Sequence, residues 1–530
     1  MTGLATPSPT SSSVPDAVLR QPIHGADLLA HALSRDLDRP VVILDDGRTV
    51  TAGQMAASVS RYAQTYGALS PRPLRAALLS KNRPEVPAAS VGLTFAGIVA
   101  TSLHPMGSVE DYLYVIEDAE IDLLIYDADH FEAQVAEIER RAPRIQHFLA
   151  LGGQGVRSLD KAAAAYEARP LAAPVVDPDA LARIAYSGGT TGKPKGIMVT
   201  HRGILTASLI QLTEWEWPEE IRYLICAPLS HAGAASLTPI LVKGGAMVVL
   251  PGFDPVGFMA AVEKYRITAT LMVPTMVLAL IDHPRFGEFD LSSLEVVFYG
   301  ASAFPASRLK DAIAKLGPIF FQFYGQAEAP LSVTVMRRKE HLTDDPLRLA
   351  SCGRPTPWVH VALLDDDCRE VEDGRPGEIC VRGPLLMAGY LGMPEETEKV
   401  FEGGWLHTGD VAIKGPDGFL RIVDRKKDMI VTGGFNVFAR EVEDVLATHP
   451  GVRQAAVIGV PDPKWGEAVM AIVVAVPGSE PCPEDLIALV RSQKGAVQAP
   501  KSVVFVEAIP LSAVGKPDKK ALRLKYGTPV

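Results

Sequence analysis

Basic residues in excess, cysteine frameworks and long apolar runs are all scarce in this chain. Its 530 residues carry 52 Lys and Arg against 62 Asp and Glu, a formal net charge of −10. That balance argues against a nucleic-acid or anionic-membrane partner held by bulk electrostatics, and small anionic ligands need locally basic sites. The five cysteines (Cys226, Cys352, Cys368, Cys380, Cys482) are scattered, with no C-x-x-C and no Cys/His cluster along the sequence. This speaks against a disulfide framework or structural zinc and for a reducing, cytoplasmic setting. The longest apolar stretch, 88–103, is short for a bilayer span and carries Ser90, Gly92, Thr94, Gly97, Thr101 and Ser102. We read it as a buried helix or a helix–strand pair. Residues 1–20 are rich in Ser, Thr and Pro without the basic start and apolar centre of a signal peptide, and read as a disordered tail.

What is present is an ordinary globular composition, 47% apolar and 22% charged, in a chain too long for one compact core. Strand-like and helix-like segments alternate: 74–80, 123–127, 245–251, 269–273 and 294–299 as strands, and 85–96, 132–141, 255–265, 275–282 and 307–316 as helices. Such alternation predicts α/β architecture with mixed, mainly parallel sheets. From about Trp358 the segments 359–365, 377–382 and 419–423 read as short strands between Asp/Gly turns, a β-rich subdomain. Beyond it, helices at 439–448 and 484–491 and strands at 455–460, 468–476 and 502–507 predict a small α+β unit. We place the boundary at 424/425, giving a large domain, 1–424, and a small mobile C-terminal domain, 425–530.

One stretch stands out: Tyr186-Ser187-Gly188-Gly189-Thr190-Thr191-Gly192-Lys193-Pro194-Lys195-Gly196. Glycines permit φ > 0 and close approach of backbone to a ligand, short hydroxyls and successive N–H groups wrap an anion, and lysines add charge. A solvated turn would share this composition. A P-loop does not fit, because Pro194 lacks an N–H and disfavours helix at Lys193. An extended run, Gly196-Ile197-Met198-Val199-Thr200, follows instead.

The order S-G-G-T-T-G-K-P-K-G resembles the signature of the adenylate-forming superfamily, which includes acyl-CoA synthetases, carrier-protein adenylation domains and beetle luciferase. Gln322-Phe323-Tyr324-Gly325-Gln326-Ala327-Glu328 resembles its N-x-Y-G-x-T-E pattern, and Trp405-Leu406-His407-Thr408-Gly409-Asp410 its W-x-x-T-G-D. Asp424-Arg425-Lys426-Lys427-Asp428 resembles the family hinge, and the stretch ending Gly515-Lys516 its last motif. The resemblance implies two half-reactions: a carboxylate attacks Mg·ATP to give an acyl-adenylate, then a thiol displaces AMP. It implies that Ser187, Gly188, Gly189, Thr190, Thr191, Gly192 and Lys195 hold phosphates, and that Gly300, Ala301, Ser302, Tyr324, Gly325 and Ala327 line the nucleotide. Glu328 would ligate Mg²⁺, Asp410 and Arg425 would hold the ribose, Lys516 would bridge carboxylate and α-phosphate, and Lys427 would be the pivot. Gly433, Gly434 and Phe435 would line the path of coenzyme A.

His231, with Ala232, Ala235, Phe298 and Gly300, falls where the family builds its gated acyl pocket. His231 and Ala232 replace the Phe-Asp pair typical of amino-acid-activating members, so an amino acid is disfavoured, and the small residues suggest a bulky apolar acid. Ala327 replaces the Thr that contacts the α-phosphate. A hydrogen bond to a charged group contributes about 1.5–3 kcal/mol, roughly 10- to 150-fold in rate, so we expect weak adenylation and a bias toward the thioester step. The basic residues Lys519, Lys520, Arg523 and Lys525 read as a solvated tail. A stand-alone enzyme loading a carrier protein, a luciferase-like oxygenase, a nucleotide-binding protein without catalysis, and a homodimer all stay open.

Overall fold

The computed structural model describes residues 22–153, 155–187, 194–433, 435–510 and 517–527. Two large sheets dominate the N-terminal part. One has nine strands; its centre runs Phe320–Tyr324, Val296–Tyr299, Ala269–Met272, Arg222–Ile225, Ala246–Val249 and Pro40–Ile43, all parallel. The other has seven, in the order Gly389–Tyr390, Lys195–Thr200, Leu181–Ser187, Val99–Leu103, Arg75–Leu79, Leu123–Asp127 and His147–Leu151. Its last five strands are parallel and the first two are added antiparallel. Buried on both faces, these strands are nearly continuous apolar runs, as Leu123–Asp127 and Val296–Tyr299 show.

The largest core lies between the two sheets. It joins Ala76, Leu78, Leu123 and Ile125 of the second sheet to Tyr223, Met247, Leu271 and Phe298 of the first, with the helices Ala52–Ala68 and Val86–Phe95 between. The stretch 88–103 is thus the expected helix–strand pair: it holds most of the helix Val86–Phe95 and all of the strand Val99–Leu103. No described helix is long and apolar enough to cross a membrane.

Four antiparallel strands, His360–Leu364, Pro376–Arg382, Leu406–Lys414 and Leu420–Arg425, form the β-rich piece. A short helical turn, Lys426–Asp428, leads from it to the C-terminal unit. There the strands Val452–Asp462, Gly466–Ala475 and Ser502–Phe505 pack against the helices Ala439–Leu446 and Pro483–Lys494.

Two expectations need correction. The basic tail is not simply solvated. It forms the helix Lys519–Tyr526, docked through Leu522 on Ala456, Ile458 and Ile472. Lys519 pairs with Glu443 at 2.8 Å and Arg523 with Asp428 at 3.0 Å. Nor are the cysteines all isolated. Strand pairing brings Cys380 Sγ to 3.4 Å from His407 Nδ1, and Cys368 Sγ lies 3.8 Å from His407 Nε2. Cys380 and His407, 27 positions apart, meet because they sit on adjacent strands, and Cys368 reaches the same ring from the turn after Leu364, which linear spacing cannot reveal. Glu378 completes a Glu–Cys–His group, but Lys426 and the Gly409 N–H already occupy its carboxylate.

Candidate active site

The glycine-rich segment joins two antiparallel strands, Leu181–Ser187 and Lys195–Thr200, with Ser187 opposite Lys195 at the mouth of the hairpin. Gly188, Gly189, Thr190, Thr191, Gly192 and Lys193 lie outside the described residues. Thr200 closes the second strand and caps the next helix, His201–Glu214, its Oγ1 accepting the Gly203 N–H at 3.1 Å. The loop therefore has a rigid strand on one side and a strand locked to a helix on the other.

Three distant motifs meet at one carboxylate. Asp410 is 5% exposed, and its Oδ2 accepts from Tyr324 Oη at 2.8 Å and from Gln326 Nε2 at 2.7 Å. Arg425 Nε lies 3.2 Å from its Oδ1. Tyr324 ends the strand Phe320–Tyr324, while Asp410 and Arg425 face each other across adjacent antiparallel strands. Burial and the neighbouring Asp410 charge push the Tyr324 phenol well up, so it stays a donor. Gln326 also donates to Thr408 O at 2.8 Å. Sequence reasoning missed Gln326, because it occupies a position the motif leaves open.

Glu328 lies just beyond this hub, and Tyr390 Oη donates to its Oε1 at 3.1 Å. The ammonium of Lys195 sits 4.7 Å over the Tyr390 ring and 2.7 Å from Glu396. The strand Gly389–Tyr390 pairs with Lys195–Thr200, so the glycine-rich hairpin and Glu328 are tied through one tyrosine. Nothing in the sequence announced Tyr390 or Glu396, which lie about 200 residues beyond Lys195. Of the described residues only Tyr390 bonds the Glu328 carboxylate, and an oxygen donor of this type fits a hard cation such as Mg²⁺.

At the end of the strand Val296–Tyr299, Gly300 approaches its neighbour closely: an added Cβ would lie 2.4 Å from Phe323 O. Ala301 follows with φ +66°, a left-handed conformation costing a non-glycine residue about 1–2 kcal/mol. Such strain clusters at ligand-binding turns. Ala301 and Ala327 are exposed and Ser302 and Gly325 half-buried, all at this end of the sheet.

The acyl-pocket expectation changes here. Gly300 is required by the close approach of Phe323, which explains its small size without a ligand. Gly233 is likewise pinned, with a Cβ position 2.3 Å from Ala227 O. Phe298 is fully buried, packed at tilted ring angles against Trp215 at 4.5 Å and Trp217 at 4.9 Å. It is core and not lining. His231, exposed at the surface, lies beside Ala232 and near His104. Its Nδ1 is 2.9 Å from Ser230 Oγ, and its ring meets His104 edge to face at 4.9 Å. Desolvation, His104 and Arg183 bring its pKa down to about 4, so the imidazole is neutral at pH 7.

The hinge sequence carries its own electrostatics. Asp424 is 4% exposed; burial raises its pKa to about 6, against the pull of Lys519. Its carboxylate accepts the N–H groups of Arg425 and Ala439, so it clamps the two ends of the connection. Lys427 is held below the usual lysine range by partial burial and by Arg425. Lys516 and Gly434 lie outside the described residues. The ends of the Lys516 segment nonetheless converge, Asp518 N–H donating to Pro510 O at 2.8 Å. Gly433 and Phe435 are exposed, and Trp465 beside them is 41% exposed.

Comparison with known proteins agrees with this geometry. The family model "AMP-binding enzyme" matches residues 29–391, and "AMP-binding enzyme C-terminal domain" matches 441–516. The chain is 48% identical over 524 residues to the medium/long-chain-fatty-acid–CoA ligase FadD8 of Mycobacterium tuberculosis, covering 96% of this chain and 91% of that protein. It is 35% identical to a feruloyl-CoA synthase of an Amycolatopsis species, covering 91% and 95%. Among solved structures, the amide bond synthetase McbA from Marinactinospora thermotolerans superposes with a TM-score of 0.85 at 32% identity, covering 94% of this chain and 100% of that one.

Proposed function

The chain belongs to the AMP-binding enzyme family, in the acyl-CoA ligase branch of the adenylate-forming superfamily, and from that premise we propose that it joins a bulky apolar acid to coenzyme A through an acyl-adenylate. The similarity to FadD8 favours a medium- or long-chain fatty acid among such acids. The observation that carries the reading is the convergence of Tyr324, Gln326 and Arg425 on the buried Asp410. A carboxylate offers two acceptor oxygens, which suits the paired hydroxyls of a ribose. These contacts support a reading in which Tyr324 stacks on an adenine while the glycine-rich hairpin and Glu328 take the triphosphate.

In the first step an oxygen of the acid attacks the α-phosphorus, the bond to the bridging oxygen breaks, and pyrophosphate leaves. Lys516 stabilises the charge gathering between the two reactants, and Mg²⁺ held by Glu328 would neutralise phosphate charge. In the second step the thiol sulfur attacks the acyl carbonyl, the bond to AMP breaks, and the thiol proton passes to solvent. His231 is too weak a base to take that proton at pH 7. Its role is to orient the carbonyl as a neutral ring at the gate.

The small domain would turn about Lys427 between the steps. Here Arg523 pairs with Asp428 beside the hinge, while Gly433, Phe435 and Trp465 face solvent. This arrangement suits the adenylating step. Ala327 weakens that step, so pre-formed adenylates would be used more readily than acid and ATP.

The test is mass spectrometry of AMP, pyrophosphate and acyl-CoA across an acid library, with ATP and with synthetic acyl-adenylates supplied separately. Acid-dependent AMP and acyl-CoA are expected, largest for apolar acids. Binding of nucleotide without any product in either arm would leave a non-catalytic protein. Thioester only on a carrier protein would replace coenzyme A as the acceptor.

A further inference from the structure

Among the described residues Arg183 has no hydrogen-bond or ion-pair partner, and it stands opposite Ala100, which packs on the core between the two large sheets. It sits within the strand Leu181–Ser187, opposite Ala100 on one side and Val199 on the other. Alternation along the strand turns it away from Ile184, whose side chain is sealed in the core with Ala77, Leu79 and Leu103. The opposite face looks toward His104, from the end of the neighbouring strand, and His231, whose rings touch at 4.9 Å. Nε of Arg183 is closed off from solvent and no described residue accepts a hydrogen bond from it, yet the residue keeps some exposed surface. It therefore lines a recess and is not lost in the core. No described carboxylate offsets the desolvation acting on it, and His231, which feels the Arg183 charge, is kept neutral.

A guanidinium does not give up its charge in a protein, and burying it unpaired is strongly unfavourable. An apolar pocket built only for a hydrocarbon tail has no use for it. The inference rests on the acid-activating reading above. We infer that Arg183 is a carboxylate-recognising residue of the acyl site, its guanidinium taking a carboxylate of the acid substrate beside His231 and His104. Two carboxylates have this chemistry. The reacting one loses its charge when the adenylate forms, so Arg183 would assist only the first step. A second carboxylate at the far end of a diacid would keep its charge and be held through both.

The experiment compares wild type with Arg183→Met, which keeps the stem and removes the charge, and with Arg183→Lys. Pyrophosphate release is measured against acid concentration at saturating ATP, and thioester formation from synthetic adenylate, using a medium-chain monoacid and its α,ω-diacid. We expect the Met variant to raise the KM for the monoacid about 10- to 100-fold, the scale of a lost charge-assisted hydrogen bond. KM for ATP and the adenylate-fed step should stay within twofold, with partial recovery in the Lys variant. Loss confined to the diacid, in both steps, supports recognition of the distal carboxylate instead. An unchanged KM for both acids overturns the inference. Should the Met variant not fold, thermal stabilisation of the wild type by a fatty acid and by its primary amide decides: equal shifts overturn it. Absence of acid-dependent AMP from wild type would count against the proposed function, and the acid-versus-amide comparison would still judge Arg183.

Discussion

At the scale of single residues, the site is a set of carboxylates and the groups that hold them. Asp410 takes three partners, so its removal strands a phenol, an amide and a guanidinium at once. Asp410→Ala should raise the KM for ATP by roughly 10²-fold, whereas Tyr324→Phe, losing one hydrogen bond to a charged group, should cost about tenfold. Steady-state pyrophosphate release on both variants checks the ratio. Ala327→Thr restores a hydroxyl at an exposed position near this hub. We expect adenylation to rise about 10- to 150-fold with the adenylate-fed step unchanged; equal rates in mutant and wild type would remove the idea of a weakened first step. Tyr324, Glu328 and Asp410 were legible because each lies in a motif of fixed spacing. Gln326, Tyr390 and Arg183 were not, since their roles arise from what strand pairing sets beside them.

At the scale of elements, periodicity located the central strands closely. The strand Leu123–Asp127 and the helix Pro255–Tyr265 agree with the expected bounds. Apolar runs that short, bounded by turn residues, leave little latitude. The long helix Ala52–Ala68 gave no such signal: its buried positions include Ser60, Tyr62, Thr65 and Tyr66, so its inner face does not read as apolar. The Lys-rich helix Lys519–Tyr526 misled for the opposite reason, since its charges are answered by Glu443 and Asp428 far away in sequence. Small residues also have two readings, room for a ligand or room for a neighbouring strand, and only packing separates them. Gly300→Ala would drive a methyl into Phe323 and should destabilise by about 1–3 kcal/mol, seen as a lower urea midpoint without any change in acid preference. Phe435, exposed on the hairpin beside Trp465, makes the complementary case. Phe435→Ala should leave acyl-adenylate formation intact and slow its transfer to coenzyme A by at least roughly tenfold, on the scale of losing a buried aromatic contact, measured by single-turnover chase of the adenylate.

At the scale of the whole molecule, acid stability follows from a buried histidine. His341 is 8% exposed, donates Nδ1–H to Arg337 O at 2.9 Å and accepts from Tyr299 Oη at 3.0 Å through Nε2. Burial lowers its pKa from 6.5 to about 4. Between those values the unfolded chain binds the proton and the folded one does not, so stability is full above about pH 6.5 and falls as pH drops toward 4. The slope is about 1.4 kcal/mol per pH unit for one such group. Asp424 acts in the opposite sense, its folded pKa of about 6 favouring the folded state at lower pH. Urea midpoints from pH 7.5 to 4.5 should therefore decline less steeply in His341→Gln, and more steeply in Asp424→Asn, than in wild type.

Arg425 deserves a last consequence, because it holds Asp410 with one end and begins the hinge turn with the other. A ribose that claims the oxygen it grips competes with the joint itself. Binding energies are reciprocal, so a nucleotide that loosens the joint would be held more tightly once the joint has turned, by the same factor. Filling the site would then help to turn the joint: the nucleotide that frees Arg425 favours the proposed rotation, and the turned state in return retains the nucleotide. Arg425→Ala should uncouple the two, leaving AMP affinity the same whether or not coenzyme A is present.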